Sequence, residues 1–317
     1  MASHVLPFEK PVVELVARVR ELRALAENDR KFEGELRRLE EKCGRLAREL
    51  FADLSPWQKV QLSRHPNRPY TLDYFGYLFE GFIELHGDRS FADDASIVAG
   101  LARYHGRSVA VLGHQKGRGA KENVKRNFGM PHPEGYRKAR RIYELASRFG
   151  LPILTFIDTP GAYPGLGAEE RGQSEAIGAC LAAMSRAPVP IIVTIIGEGG
   201  SGGALALGVG NTVNVLEYGT YSVISPEGCA SILWKDGAKA DEAALRLRIT
   251  APELLDLKIV DRVIEEPAGG AHQDPALAAR LVDTAISEAL GAMLQRTPEE
   301  LVRHRYDRFR ALGAFVG

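Results

Sequence analysis

The sequence predicts an α/β domain whose chemistry sits at the carboxyl ends of strands. Three observations carry that expectation. Apolar runs of strand length alternate with stretches of helical periodicity, two of the runs end in glycine-rich turns, and the first sixty residues have a helix-only texture. The 317 residues are 45% hydrophobic and 26% charged, as expected of a soluble globular chain with one main domain and a small appendage. The expected organisation is a helical segment over 1–64, the main domain over 65–294 and a helical tail over 295–317.

Val12, Leu15, Val19, Leu22 and Ala26 recur at gaps of three and four, and after Asn28-Asp29 so do Leu36, Leu39, Cys43, Leu46 and Leu50. Two short heptad stripes joined by a polar turn predict an antiparallel helical hairpin with a charged, solvated outer face. A stripe with no core of its own suits docking on a partner subunit. His65-Pro66-Asn67-Arg68-Pro69 marks the boundary, because two close prolines exclude a helix. Strands are then predicted over Ile97–Tyr104 and Ser108–His114, around His105-Gly106-Arg107. A helix over Pro133–Phe149 leads to a strand over Leu151–Asp158, and a helix over Gly167–Ser185 to a strand over Pro190–Gly197. Short strands follow at Thr212–Glu217, Tyr221–Ile224 and Ile259–Ile264, then helices at Pro275–Leu294 and Pro298–Ala311.

Composition bounds the function. The 41 basic and 41 acidic residues cancel, so no global field favours nucleic acid or an anionic membrane. Cys43, Cys180 and Cys229 lie far apart, which predicts neither a disulfide framework nor a metal site. The start lacks the basic and long apolar regions of a signal peptide, and the apolar run Val189–Ile196 contains Pro190 and is too short for a bilayer. A reducing cytoplasm is the expected compartment.

The densest signal is the stretch Ile195–Ala206, in which a strand enters a glycine cluster and a small-residue helix leaves it. Such a turn offers backbone N–H groups bare of side chains, suited to an anion or a developing oxyanion. Three readings compete. Gly197, Gly199 and Gly202 match the dinucleotide fingerprint, with Glu217 as the ribose carboxylate, but the cluster lies deep in the chain rather than on a first βαβ unit. Gly199-Gly200-Ser201-Gly202-Gly203 matches a nucleophile elbow, but only His272 and His304 lie downstream to serve it, and Ser201 reads more simply as the N-cap of a helix starting at Gly202. The third reading is an oxyanion hole without a nucleophile, formed by the amides of Gly202 and Gly203, with Gly199 and Gly200 lining the crevice. The loop Asp158–Gly165 supports the third: it follows a strand, presents the amides of Gly161 and Ala162, and offers Tyr163 to pack on a ring.

Around that crevice, Lys116, Arg118, Lys121, Lys125 and Arg126 form a basic stretch suited to phosphates or an acidic partner, or simply a solvated loop. Lys116 and Arg118 are the better candidates, being nearest the strand end, and the stretch lacks the aromatic interleaving of a nucleic-acid binder. His114 and His132 read as structural, with no metal-ligand spacing between them. Glu169, Glu170 and Glu198 line up near the crevice without an assignable proton-transfer role.

These same blocks carry a resemblance. GHQKGR (Gly113–Arg118), RNFGMPHPEGYRKA (Arg126–Ala139), FIDTPGAYPG (Phe156–Gly165), AEERGQSEAI (Ala168–Ile177), GEGGSGGALALG (Gly197–Gly208) and YSVISPEGCASILWK (Tyr221–Lys235) resemble the acetyl-CoA carboxylase carboxyltransferase alpha-subunit family. The likeness extends from RPYTLDY (Arg68–Tyr74) to GGAH (Gly269–His272). It implies a crotonase/ClpP-like spiral of ββα units with an N-terminal helical hairpin and a helical C-terminal tail. It further implies transfer of the carboxyl group of carboxybiotin, borne by a biotin carboxyl carrier protein, to acetyl-CoA. The resemblance implies a beta subunit in an α2β2 heterotetramer, biotin carboxylase in the larger complex, zinc on the beta subunit only, and no permanently bound cofactor here. Gly202 and Gly203 would then hold the ureido oxygen. The competing enzyme reading is a serine hydrolase of the same fold using Ser201.

Overall fold

The computed structural model describes residues 4–313; the first three and last four residues of the expected segments lie outside them. Helices α1 (Lys10–Asn28) and α2 (Glu33–Ala52) form the predicted hairpin, turned where Asp29 adopts an extended backbone and accepts the Lys31 amide at 3.1 Å. The hairpin docks on its own chain: Leu6, Val12, Ala47, Phe51 and Leu54 pack with Leu62 and with Tyr218 of the main domain. The short helix α3 (Pro56–Ser63) is closed by a capping box, Ser55 accepting from the Gln58 amide and Gln58 from the Ser55 amide.

After α4 (Thr71–Leu78) the chain enters one mixed sheet. Strands β1 (Glu80–Glu84), β2 (Ile97–Tyr104) and β3 (Arg107–His114) pair antiparallel. The small helix α5 (Ala120–Lys125) and the long α6 (Pro133–Phe149) follow, and α6 carries the chain to β4 (Ile153–Thr159), parallel to β3. Helices α7 (Leu166–Glu170) and α8 (Gln173–Arg186) lead to β5 (Ile191–Gly200), α9 (Ser201–Leu205), β6 (Thr212–Leu216) and β7 (Thr220–Ser222). Helices α10 (Pro226–Trp234), α11 (Ala240–Leu247) and α12 (Ala251–Asp256) precede β8 (Arg262–Ile264), and α13 (Pro275–Met293) and α14 (Pro298–Arg310) close the described chain. The strand order is β1-β2-β3-β4-β5-β6-β8, with β7 added to the end of β5. Among the described residues no helix is long and apolar enough to cross a membrane.

The middle strands are buried on both faces. In β4, Ile153 and Ile157 meet the α6 and α8 residues Tyr136, Ile142, Tyr143, Cys180 and Met184, while Leu154 and Phe156 meet Tyr74, Phe75 and the α13 residues Val282 and Ile286. Helix α6 starts on Pro133 and stops at Gly150, whose φ of 66° is the left-handed cap that lets the chain turn into β4. Burial holds both sides of β4 rigid, so the loop after it has a fixed root.

Three expectations shift. The single helix expected over Gly167–Ser185 is broken at Gly172, where φ is 77°. Strand β5 runs on to Gly200 rather than stopping at Gly197, because β7 pairs with its last three residues. The tail helix α14 is stitched into the core: buried Arg305 donates to the carbonyls of Met184, Ala187 and Val189 and to Asn211 Oδ1, all between 2.8 and 3.0 Å.

Candidate active site

The glycine loop and the Asp158–Gly165 loop meet, as two neighbouring parallel strands require. Up to Ile157↔Ile195 the register of β4 and β5 is regular; the next pair is Thr159↔Gly199, leaving two extra residues on β5. That bulge turns β5 toward the loop after β4. A Cβ on Gly200 would lie 2.1 Å from the Pro160 carbonyl oxygen, and one on Gly203 2.4 Å from the Ala162 nitrogen. These two glycines are required by loop-on-loop packing, and Gly199 by Tyr221, whose Cδ2 would lie 2.7 Å from a Cβ there.

Ser201 is not the expected N-cap. It is the first residue of α9, with Gly200 in the cap position and no side-chain capping bond, and its own φ is 53°. A left-handed serine at the strand-to-helix turn carries strain of about 1–3 kcal/mol, which the flanking glycine contacts hold in place. The expected triad partners are occupied elsewhere: His272 bonds Glu9 and Gln273, and His304 lies beside Asn211. Among the described residues, neither downstream histidine bonds Ser201.

The expected donors separate into two kinds. Gly202 and Gly203 donate to no acceptor among the described residues, as the first turn of a helix leaves them. Gly202 lines an apolar cavity of about 250 Å³ with Ser201, Leu205, Tyr221, Ser222, Val223 and Ile259. Gly203 is buried, and a Cβ there would meet the backbone of the second loop. In that loop the Gly161 amide is taken by Thr159 Oγ1 at 3.1 Å, whereas the Ala162 amide has no partner among the described residues. Tyr163 leans on His132, ring centroids 4.6 Å apart, and does not line the cavity. The dinucleotide reading loses its ribose carboxylate, because Glu217 is half-buried and accepts the Glu266 amide at 3.1 Å.

The expected basic patch is neutralised. Lys116 Nζ lies 2.7 Å from Asp158 Oδ1 and 2.8 Å from Glu198 Oε1, and these carboxylates outweigh its burial to hold its pKa above the usual lysine range. Arg118 is paired with Asp73, donates to the carbonyls of Pro66 and Arg68, and stacks 4.6 Å over the Tyr70 ring. Both line a second cavity of about 530 Å³ with Arg64 and Glu198, but neither offers a free charge for a phosphate. Glu169 and Glu170 are exposed on α7. His114 is fully buried with neither ring nitrogen bonded, and burial pushes its pKa down to about 3, so it is a neutral core residue. Sequence reasoning gave no role to Arg64, Arg68, Asp158 and Glu266. For Asp158 and Glu266 the signal was a charged residue inside or beside an apolar strand, which burial obliges to find a partner; Arg64 and Arg68, at the end of α3 and in the turn after it, carried no such signal.

Three antiparallel strands followed by helix-linked parallel strands, with two strand-end loops in contact through Gly200 and Gly203, make a crotonase-like fold. A transcarboxylase 12S chain, solved with methylmalonyl-coenzyme A bound, matches with a TM-score of 0.56 and 22% identity over 70% of this chain and 42% of that one. A Pseudomonas malonate decarboxylase hetero-tetramer in complex with coenzyme A matches with a TM-score of 0.57 and 18% identity, over 69% of this chain and 88% of that one. These likenesses show the fold. The family described as acetyl co-enzyme A carboxylase carboxyltransferase-like matches residues 5–313. The acetyl-coenzyme A carboxylase carboxyl transferase subunit alpha of Sorangium cellulosum is 71% identical over 100% of both chains, and that of Bordetella avium 57% over 99% of this chain and 98% of its own. The chain belongs to the acetyl-CoA carboxylase carboxyltransferase alpha-subunit family.

Proposed function

We propose that this chain supplies the carboxybiotin-handling half of a carboxyltransferase that makes malonyl-CoA from acetyl-CoA, paired with a zinc-bearing beta subunit in an α2β2 complex. Carboxybiotin reaches it as a substrate on a carrier protein, charged by biotin carboxylase. Loss of CO2 from that substrate leaves a ureido anion, which takes a methyl proton from acetyl-CoA; the thioester enolate then attacks CO2. Neither step needs a protein nucleophile, and both place negative charge on an oxygen. The observation that carries the reading is the unpartnered Gly202 amide on the wall of an apolar cavity. One preorganised donor of this kind lowers the barrier by about 2.7–4 kcal/mol. Ala162 is a second free amide on the neighbouring loop, and Val223, 77% exposed, leaves the cavity open on a side that a partner can close.

The donor is tested by replacing the Gly202 peptide N–H with an ester oxygen in the assembled complex. The kcat for malonyl-CoA formation is expected to fall by about 100-fold, with the acetyl-CoA KM unchanged. An unaltered kcat removes the amide from the mechanism. Ser201→Ala separates the hydrolase alternative: most of the rate should remain, while a loss of several orders of magnitude would favour a nucleophile.

A further inference from the structure

The bulged end of β5 frees two backbone groups, and buried side chains take both. The Glu198 amide donates to Asp158 Oδ1 at 3.2 Å, and the Ile196 carbonyl accepts from Arg68 at 3.0 and 3.3 Å. Lys116 then joins the two carboxylates: its Nζ contacts Asp158 Oδ1 and Glu198 Oε1, while Arg64 Nε holds Glu198 Oε2 at 2.8 Å. The side chains of Lys116, Asp158 and Glu198 are 12%, 3% and 11% exposed, so water screens this contact little. Asp158 stands directly before the loop Thr159–Ala162 and Glu198 directly before Gly199–Gly203. The two loops touch again at Gly200 on Pro160 and Gly203 on Ala162, and a Cβ on Gly197 would lie 2.4 Å from Asp158 Oδ1. No slack separates the cation from the loop it anchors.

We propose that Lys116 is a positioning residue for the carboxyl transfer: by clamping Asp158 to Glu198 it fixes the strand ends from which the Gly202 and Ala162 amides are presented. It acts through the loops, because it lines the cavity with Arg64 and Arg118 and not the one with Gly202. The proposal rests on the assignment of Gly202 as a donor, and its test includes a readout that needs no turnover.

In the assembled complex, Lys116→Met should lower kcat by about 100-fold, the effect of roughly an ångström of misplacement, with the acetyl-CoA KM within about twofold of wild type. Without Lys116, Arg64 still pairs Glu198 but buried Asp158 must take up a proton, so the loss should be larger at pH 8 than at pH 6. Lys116→Met combined with Asp158→Asn should recover kcat at least about tenfold, because the introduced amide oxygen still accepts from Glu198 N–H and no carboxylate is left without its cation. A wild-type kcat in Lys116→Met overturns the proposal, as does a pH-independent loss that the second substitution does not relieve. Amide exchange in the full chain should accelerate about tenfold or more at residues 158–163 and 197–203 in Lys116→Met, and not in α1 and α2. Unchanged exchange at those two loops also overturns it, whatever reaction the complex performs.

Discussion

Two buried clusters each pin distant segments of this chain, and they are made of different chemistry. Around the site, Lys116 and Arg64 face Asp158 and Glu198, and Arg64 also reaches Glu227 at 2.6 Å. At the root of the hairpin, Glu9 Oε1 lies 3.0 Å from His272 Nε2 and Glu9 Oε2 3.5 Å from His65 Nε2, with the two imidazoles stacked 4.1 Å apart. His65 Nδ1 accepts the Asn67 amide at 3.2 Å, so its proton is on Nε2, facing Glu9 and the His4 carbonyl. A metal ion bound through that Nε2 would need the proton on Nδ1, and the stacked rings aim their lone pairs along near-parallel planes. The histidine cluster is therefore a hydrogen-bonded clasp. The difference teaches that the loops around the site are held by lysine and arginine salt bridges, whereas the hairpin is held by a carboxylate between two imidazoles.

The comparison breaks most severely at Arg68, which serves both regions. It binds the bulge carbonyl of Ile196 and pairs with buried Glu266 through two contacts of 2.8 Å, while Glu266 also accepts the Ala271 amide beside His272. Arg68→Met should destabilise the chain by about 3–5 kcal/mol, read by denaturant unfolding, because it strands a buried carboxylate. A loss under about 1 kcal/mol would show that Glu266 finds another partner.

Acid sharpens the comparison. Burial, aided by His272, lowers the His65 pKa to about 4, so the docked ring stays neutral while a released one takes a proton below its ordinary value of 6.5. Burial pushes Glu9 up, but the bonds from His272 and the Leu6 amide outweigh it and leave it below its usual range. Both groups bind protons better when released, so docking should weaken as pH falls from about 6.5 to 4, by at most about 1.4 kcal/mol per unit from His65. Proteolytic cleavage within residues 10–52 should rise over that window while exchange at 197–203 stays slow. Equal loosening of both regions would show that the clasp is not separately titratable.

The smallest effect is expected from the exposed Arg23–Glu40 pair across the hairpin, whose side chains are 60% and 37% exposed. Arg23→Ala should change unfolding by less than about 0.5 kcal/mol.

Much of this architecture was legible before any coordinates. Ile97–Tyr104 and Pro133–Phe149 match their elements residue for residue, since alternation, a proline start and a glycine stop are local signals. The crowding of glycines between Gly197 and Gly203 also pointed to a crevice, and Gly202 opens onto one. What local pattern does not contain is register. The two extra residues on β5 appear only when that strand is paired with β4, and with them go the roles of Asp158, Arg68 and Glu198. For the same reason Lys116 read as a free cation, when it is clamped between two carboxylates.

The clasp joins Glu9 to a histidine 263 residues later in the chain. During synthesis at 5–20 residues per second, roughly 13–50 seconds separate the two ends of that bond emerging. Throughout that interval the hairpin stripe has neither its histidine lock nor Tyr218 beneath Phe51 for most of the wait. The nascent chain must carry an uncovered apolar face until the segments that close it emerge.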